Sequence, residues 1–160
     1  MFQNASLFAS LSVADNIAFP LRYGNTLGEA EVDTTVNMLL EELGLESVAH
    51  KKPFELSQGT KKLASFARAL ARTPTLLLLD DPWSDTDPVT ARRMRSVLLA
   101  RKRTHSLTCL ITGNHMPTPL ESTDGVALLQ DTALMHFMSL PEARKDPAAQ
   151  QYLLELEKGD

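Results

Sequence analysis

Hydrophobic positions along the chain fall into two rhythms, and each predicts a different kind of element. Val32, Val36, Leu39, Leu40 and Leu43 recur at the spacing of one helix face and stop at Gly44, so a helix is predicted over about 28–43, with Thr26 and Glu29 as its capping box. Leu63, Phe66, Ala67 and Leu70 repeat that spacing behind Ser57, which predicts a second helix starting near Ser57 and ended by Pro74. There the rhythm changes. Thr75 to Leu79 is a continuous apolar run closed by Asp80, Asp81 and Pro82, which predicts a strand buried on both faces and hence a parallel sheet. Asp87 followed by Pro88 is a cap and a first-position proline, so a third helix runs to about Arg103 with Met94, Val97 and Leu98 inward. Leu107 to Thr112 is a second buried strand, and strand, helix, strand in that order is the crossover unit of an open α/β sheet. Shorter strands are predicted at 125–130 and 133–138, and Asp146-Pro147 opens a last helix that docks through Tyr152, Leu153 and Leu156. The opening stretch, Met1 to Leu21 with Pro20 near its end, is assigned no element.

Composition narrows the class without naming a function. With 160 residues, 43% hydrophobic and 22% charged, the chain has the make-up of one globular domain. Its net charge of -4 argues against a domain built to coat nucleic acid. Arg92, Arg93, Arg95, Arg101, Lys102 and Arg103 make the third helix basic, which reads as a solvated face rather than a site for acidic lipid or nucleic acid. Cys109 is the only cysteine, which excludes an internal disulfide and a Cys-rich zinc site and fits a reducing compartment. No apolar run approaches the ~18 residues that cross a bilayer, and no secretory leader opens the chain, so a cytoplasmic location is expected.

The candidate chemistry lies in two stretches. Asp80 and Asp81 stand at the C-terminal end of a predicted parallel strand, where open α/β sheets bind ligands, although an aspartate there also serves simply to form a turn. Leu56-Ser57-Gln58-Gly59-Thr60 opens a helix whose first N–H groups and dipole attract anions. Gly59 allows close approach, and Ser57 is both a hydroxyl donor and a plain N-cap. Trp83 would either touch a partner or pack against the neighbouring helix, and His50, His105 and His136 read as surface or packing residues.

Taken in order, Gln3 with Leu7-Phe8, the Ser57-Gln58-Gly59-Thr60 helix start running on to Ala67-Arg68-Ala69-Leu70, the Asp80-Asp81-Pro82 strand end, and Ser84-Asp85-Thr86-Asp87 after it resemble the nucleotide-binding domain of ABC transporters. They stand where that family has its glutamine loop, signature, Walker B strand and D-loop. Asn16-Ile-Ala-Phe-Pro-Leu21 and the C-terminal Asp146-Pro147 ahead of Gln151-Tyr152-Leu153 are similar to the Mla-type phospholipid-trafficking ATPases. The resemblance implies an α/β, P-loop NTPase-like parallel sheet core, partial here, with an ABC-type α-helical subdomain. It divides a single partial domain, 1–160, into the subdomain with the signature at 22–73 and the C-terminal part of the ATP-binding core at 74–160. It further implies ATP and Mg²⁺ as cofactors, a permease and a second ATP-binding subunit as partners, and a place at the membrane only through that permease. Asp80 and Gln3 would address the metal, Asp81 would take the catalytic position, and Ser57, Gln58, Gly59, Thr60 and Asp87 would address nucleotide. A gapless register puts Asn114 at the switch position, and a one-residue slip puts His115 there.

Several residues depart from that pattern. None of the seven glycines is followed by lysine, so the Gly-x-x-x-x-Gly-Lys loop that cradles phosphates is not in this sequence, and the chain is expected to begin downstream of it. Asp81 stands where the family has glutamate, Gln58 replaces the first signature glycine, and Leu63 stands where arginine is usual. The expected protein is an ATP-binding subunit energising lipid-related transport in a complete form; the alternative is a non-catalytic partner of an intact ATPase or permease, or an inactive fragment.

Overall fold

The computed structural model describes residues 1–23, 27–113, 123–130, 133–147 and 149–150. Thr26, Asn114, His115, Tyr152, Leu153 and Leu156 therefore lie outside the described residues. The chain forms two compact units, Met1–Gly113 and Asn114–Asp160.

In the first unit the helices are α1 (Val13–Arg22), α2 (Glu29–Leu43), α3 (Gln58–Leu70) and α4 (Pro88–His105), with strands β1 (Leu76–Asp80) and β2 (Thr108–Thr112) on either side of α4. The predicted stripe of α2 is buried throughout, as are Leu63, Phe66, Ala67 and Leu70 of α3 and Met94, Val97 and Leu98 of α4. β1 and β2 pair in parallel with Leu76 opposite Thr108 and Asp80 opposite Thr112, as the strand–helix–strand order requires.

Two expectations are corrected here. The first is the unassigned opening stretch, because α1 occupies ten residues of it and runs through Pro20. Ser12 caps that helix, its Oγ accepting from Asp15 N at 3.0 Å, and Val13, Ile17, Ala18 and Leu21 bury a stripe that outweighs the hydrogen bond proline removes. The second is the double-faced burial of the strands. Leu77 and Leu79 are 4% and 1% exposed, whereas Leu76 and Leu78 are 57% and 54% exposed and Leu110 beside them is 57% exposed. Leu77 and Leu79 join a core made with the helices, and nothing among the described residues of this unit covers the other face of β1 and β2.

The basic helix is only partly a solvated face. Arg93 Nη1 donates to Leu43 O at 2.9 Å, and Arg101, itself buried, pairs with Glu42 at 2.6 Å, so two of its cations serve the C-terminal end of α2, where carbonyls lack partners. Gly44 ends α2 at φ 61, a left-handed conformation that a side chain disfavours, and a Cβ on it would fall on the Arg93 guanidinium. Gly44→Ala is accordingly expected to lower stability by about 1–2 kcal/mol from the backbone alone, with Arg93 displaced in addition; urea denaturation reads it.

In the second unit β3 (Val126–Gln130) and β4 (Ala133–Met138) form an antiparallel pair, followed by the short α5 (Leu140–Ala143). Asp146 Oδ1 accepts from Ala149 N at 3.0 Å and Pro147 is helical, so the predicted start signal operates.

Candidate functional site

The C-terminal end of β1 is where the chain gathers its candidate chemistry. Met1 aligns the opening segment on β1, its amino group donating to Leu78 O at 2.6 Å and its carbonyl accepting from Asp80 N at 3.0 Å. Two residues later Gln3 Nε2 reaches Asp81 Oδ2 at 3.2 Å. Asp80, exposed at the strand end, accepts from Thr112 Oγ1 at 2.7 Å across the parallel pair. Residues 78 positions apart in sequence thus meet on one carboxylate.

Asp81 is held more tightly than a simple turn residue. It is 8% exposed, its N–H donates to Thr112 O at 2.8 Å, and its φ of 41 lies in the left-handed region that aspartate enters more easily than most side chains. Its Oδ1 is buried and has no hydrogen-bond partner among the described residues. A buried carboxylate oxygen left open is costly unless a ligand or water supplies the missing donor, so the atom is poised to accept. The carbonyl of Asp81 accepts from Lys62 Nζ at 3.0 Å and from Ser84 Oγ at 3.1 Å, and Lys62 also donates to Ser84 Oγ at 2.7 Å. Burial pushes the Lys62 ammonium below the ordinary lysine range, against the pull of Asp81 and Asp85, which favour its charge.

The helix start behaves as its residue types require. Ser57 Oγ accepts from Thr60 N at 3.2 Å and meets Thr60 Oγ1 at 2.8 Å, capping α3, while Gln58 stands exposed at its first position. Gly59 has a reason within the chain: a Cβ there would stand 3.2 Å from Asp87 Oδ2, so the glycine lets α3 pass against the start of α4. Asp87 is taken up as the cap of α4, Oδ1 accepting from Val89 N and Thr90 N at 3.0 and 2.9 Å and Oδ2 from Thr90 Oγ1 at 2.6 Å, which holds its carboxyl below the usual range. Gln3 and Gln58 line one open groove of about 710 Å³, with Lys61, Lys62 and Asp85 on its walls.

Sequence reasoning missed Asn16, Arg68 and Lys62. Asn16 is fully buried and fastens the segment behind Gln3 to α1 by accepting from Phe8 N at 2.8 Å and donating to Phe8 O at 3.1 Å. Arg68 of α3 donates to Ser6 O at 2.9 Å and lies over the Phe8 ring, 5.4 Å from its centroid. The signals were present: Asn16 is three residues from Val13 and next to Ile17, and Lys62 falls four and eight residues before Phe66 and Leu70 on an apolar stripe. Trp83 resolves toward packing, being 4% exposed, and its indole N–H has no partner among the described residues. His50 and His105 are exposed.

A model of the family described as ABC transporter matches residues 1–84. The chain belongs to the ABC transporter family. This ABC chain is 32% identical over 155 residues to the intermembrane phospholipid transport system ATP-binding protein MlaF of Escherichia coli (strain K12), across 96% of its own length and 58% of that protein. It is 34% identical over 163 residues to the methionine import ATP-binding protein MetN 2 of Pseudomonas aeruginosa (strain UCBPP-PA14), across 100% of its own length and 49% of the relative. The ABC chain therefore spans 58% and 49% of these two relatives. Its fold superposes on the ATP-binding cassette MJ0796, solved as a dimer in a post-hydrolysis state bound to ADP and Pi, with a TM-score of 0.76 at 24% identity, over 87% of this chain and 61% of that one. The α/β class, with a P-loop NTPase-like parallel core and helices packed beside it, is thereby established.

Proposed function

We propose that this chain is the nucleotide-binding part of an ABC transporter subunit, energising the movement of a lipid-related substrate by ATP binding and hydrolysis. The observation that carries the reading is the 3.2 Å contact between Gln3 and the buried carboxylate of Asp81, beside Asp80, at the end of a parallel strand. Asp80 would hold Mg²⁺ with help from the Gln3 amide oxygen; the ion, when bound, supplies positive charge against the phosphates. Among the described residues no three His, Cys, Asp or Glu side chains come together to hold a metal. One carboxylate suits magnesium, which keeps water and takes its remaining ligands from phosphate, so the residues fit the ion only in company with nucleotide. Asp81 would accept a proton from the attacking water through its carboxylate. The start of α3, with Ser57, Gln58, Gly59 and Thr60, would meet the phosphates held by a second ATP-binding subunit, while Asp87 would keep the two helix starts in register. Asn114, or His115 in the slipped register, would take the switch position.

In this reading 22–73 is the helical subdomain and 74–160 belongs to the ATP-binding core. The partner at the membrane is a permease, through which a chain at the cytoplasmic face would act; no helix among the described residues is long and apolar enough to cross a bilayer. An aromatic ladder centred on Phe19 of α1 supports a protein partner: Phe8, ahead of the helix, lies 4.4 Å from Phe19 between centroids, and Tyr23, just past its end and 75% exposed, stacks on Phe19 at 5.7 Å.

Titration calorimetry with Mg-ATP tests the reading in two steps. The 160-residue chain is expected to show no micromolar binding, because no Gly-Lys pair exists to cradle the triphosphate; the same chain extended by a relative's phosphate-binding loop is expected to bind. Binding by neither would favour the second reading, a non-catalytic partner of an intact ATPase or permease, which the short Asp81 supports.

A further inference from the structure

Lys62 is a cation placed where the α3 stripe calls for an apolar side chain, and it is only 5% exposed. Among the described residues its ammonium makes no ion pair of the kind that Arg101 makes with Glu42. It closes a triangle instead: Nζ to Asp81 O at 3.0 Å, Nζ to Ser84 Oγ at 2.7 Å, and Ser84 Oγ to Asp81 O at 3.1 Å, with Ser84 N also aimed at that carbonyl at 3.4 Å. One carbonyl thus receives three donors, and it belongs to the residue whose φ is 41. A left-handed aspartate persists only where its surroundings over-determine it. On the other side of the same residue, in the preceding peptide, the Asp81 N–H is fixed by Thr112 O at 2.8 Å, so both backbone groups of Asp81 are clamped and its carboxylate is left facing Gln3.

We infer that Lys62 is a positioning residue: its buried ammonium clamps the Asp81 carbonyl, holds the 81–86 turn in its left-handed form, and so aims the open Asp81 oxygen. It acts through Asp81 and touches no reacting atom. Because Lys62 is on α3, four residues beyond Gln58, the clamp also makes the signature helix and the end of β1 one rigid piece. The consequence for turnover rests on the proposed role of Asp81; the clamp itself does not, and it can be tested without nucleotide.

The turn contains the chain's only tryptophan, Trp83, 4% exposed and two residues from Asp81, so its fluorescence reports on the turn alone. Lys62→Met keeps the stem and removes the ammonium, and the Ser84 to Asp81 hydrogen bond remains to satisfy that carbonyl. In the 160-residue chain, Lys62→Met is expected to make the Ser84 and Thr86 amides exchange at least about tenfold faster, which is what one hydrogen bond from a charged donor contributes to a local closing equilibrium. Acrylamide quenching of Trp83 should rise with it, while the urea midpoint stays close to wild type. Lys61→Met makes the same change of charge one residue earlier and should leave both readouts unchanged. Should Lys62→Met fail to fold, Ser84→Ala removes a partner of the clamp without touching the lysine and should open the turn in the same way. Unchanged exchange and quenching in a folded Lys62→Met, or in Ser84→Ala where the lysine variant does not fold, overturns the assignment. So does faster exchange that only follows a lowered urea midpoint, which would make Lys62 an ordinary stabilising residue. Failure of nucleotide binding by the chain extended with a phosphate-binding loop leaves the clamp standing and counts against the proposed function instead.

Discussion

Asp81→Glu, in the chain extended by a phosphate-binding loop, is expected to raise phosphate release by up to about 100-fold. The added methylene moves the carboxylate outward by roughly 1–1.5 Å, and a misplacement of about 1 Å costs on the order of 100-fold in rate. The left-handed backbone at φ 41 works in the other direction, since glutamate lacks the short side chain that lets aspartate tolerate it. That strain is about 1 kcal/mol, against the ~2.7 kcal/mol that a 100-fold gain represents, so the gain in reach wins. A glutamate variant no faster than the parent would show either that Asp81 does not take the proton or that Gln58 and Asn114 already block turnover. Asn114→His combined with Asp81→Glu separates the two.

Asn16→Leu is expected to be the most damaging single change to stability, by about 3 kcal/mol. Asn16 is wholly buried, and besides its two bonds to Phe8 it donates to Ser12 O at 2.9 Å and Leu11 O at 3.3 Å. Leucine has similar volume and none of these donors or acceptors, so the Phe8 N–H loses its partner, while the Phe8 C=O keeps only Leu11 N at 3.2 Å. Two hydrogen bonds at about 1 kcal/mol each and an orphaned group at about 1–3 kcal/mol give that size. Urea denaturation measures it, and a change within about 0.5 kcal/mol would show that the segment finds other partners. The functional result follows from position: Asn16 anchors Phe8, Arg68 anchors Ser6, and Gln3 reaches Asp81 only if the strand of chain between them stays in place.

What the sequence by itself determined was whatever one element decides alone. The stripes of α2, α3 and α4, the caps at Ser57, Asp87 and Asp146, the stop at Gly44 and the parallel pair around α4 all depend on residues a few positions apart, where helical period and punctuation carry the signal. The order of the ABC motifs was legible for the same reason. α1 was not, because Pro20 is a local stop signal that only burial of Val13, Ile17 and Leu21 against other helices overrides. The exposed side of β1 was not either: a run of leucines reads alike whether one face is covered or two, and coverage depends on what packs beside the strand. The site itself was decided by tertiary structure. Gln3 meeting Asp81, Lys62 clamping its carbonyl and Gly59 clearing Asp87 join residues from 19 to 78 positions apart, or pack one helix start on another. Side-chain type states what each could bond, and only the meeting of element faces settles which partner it has.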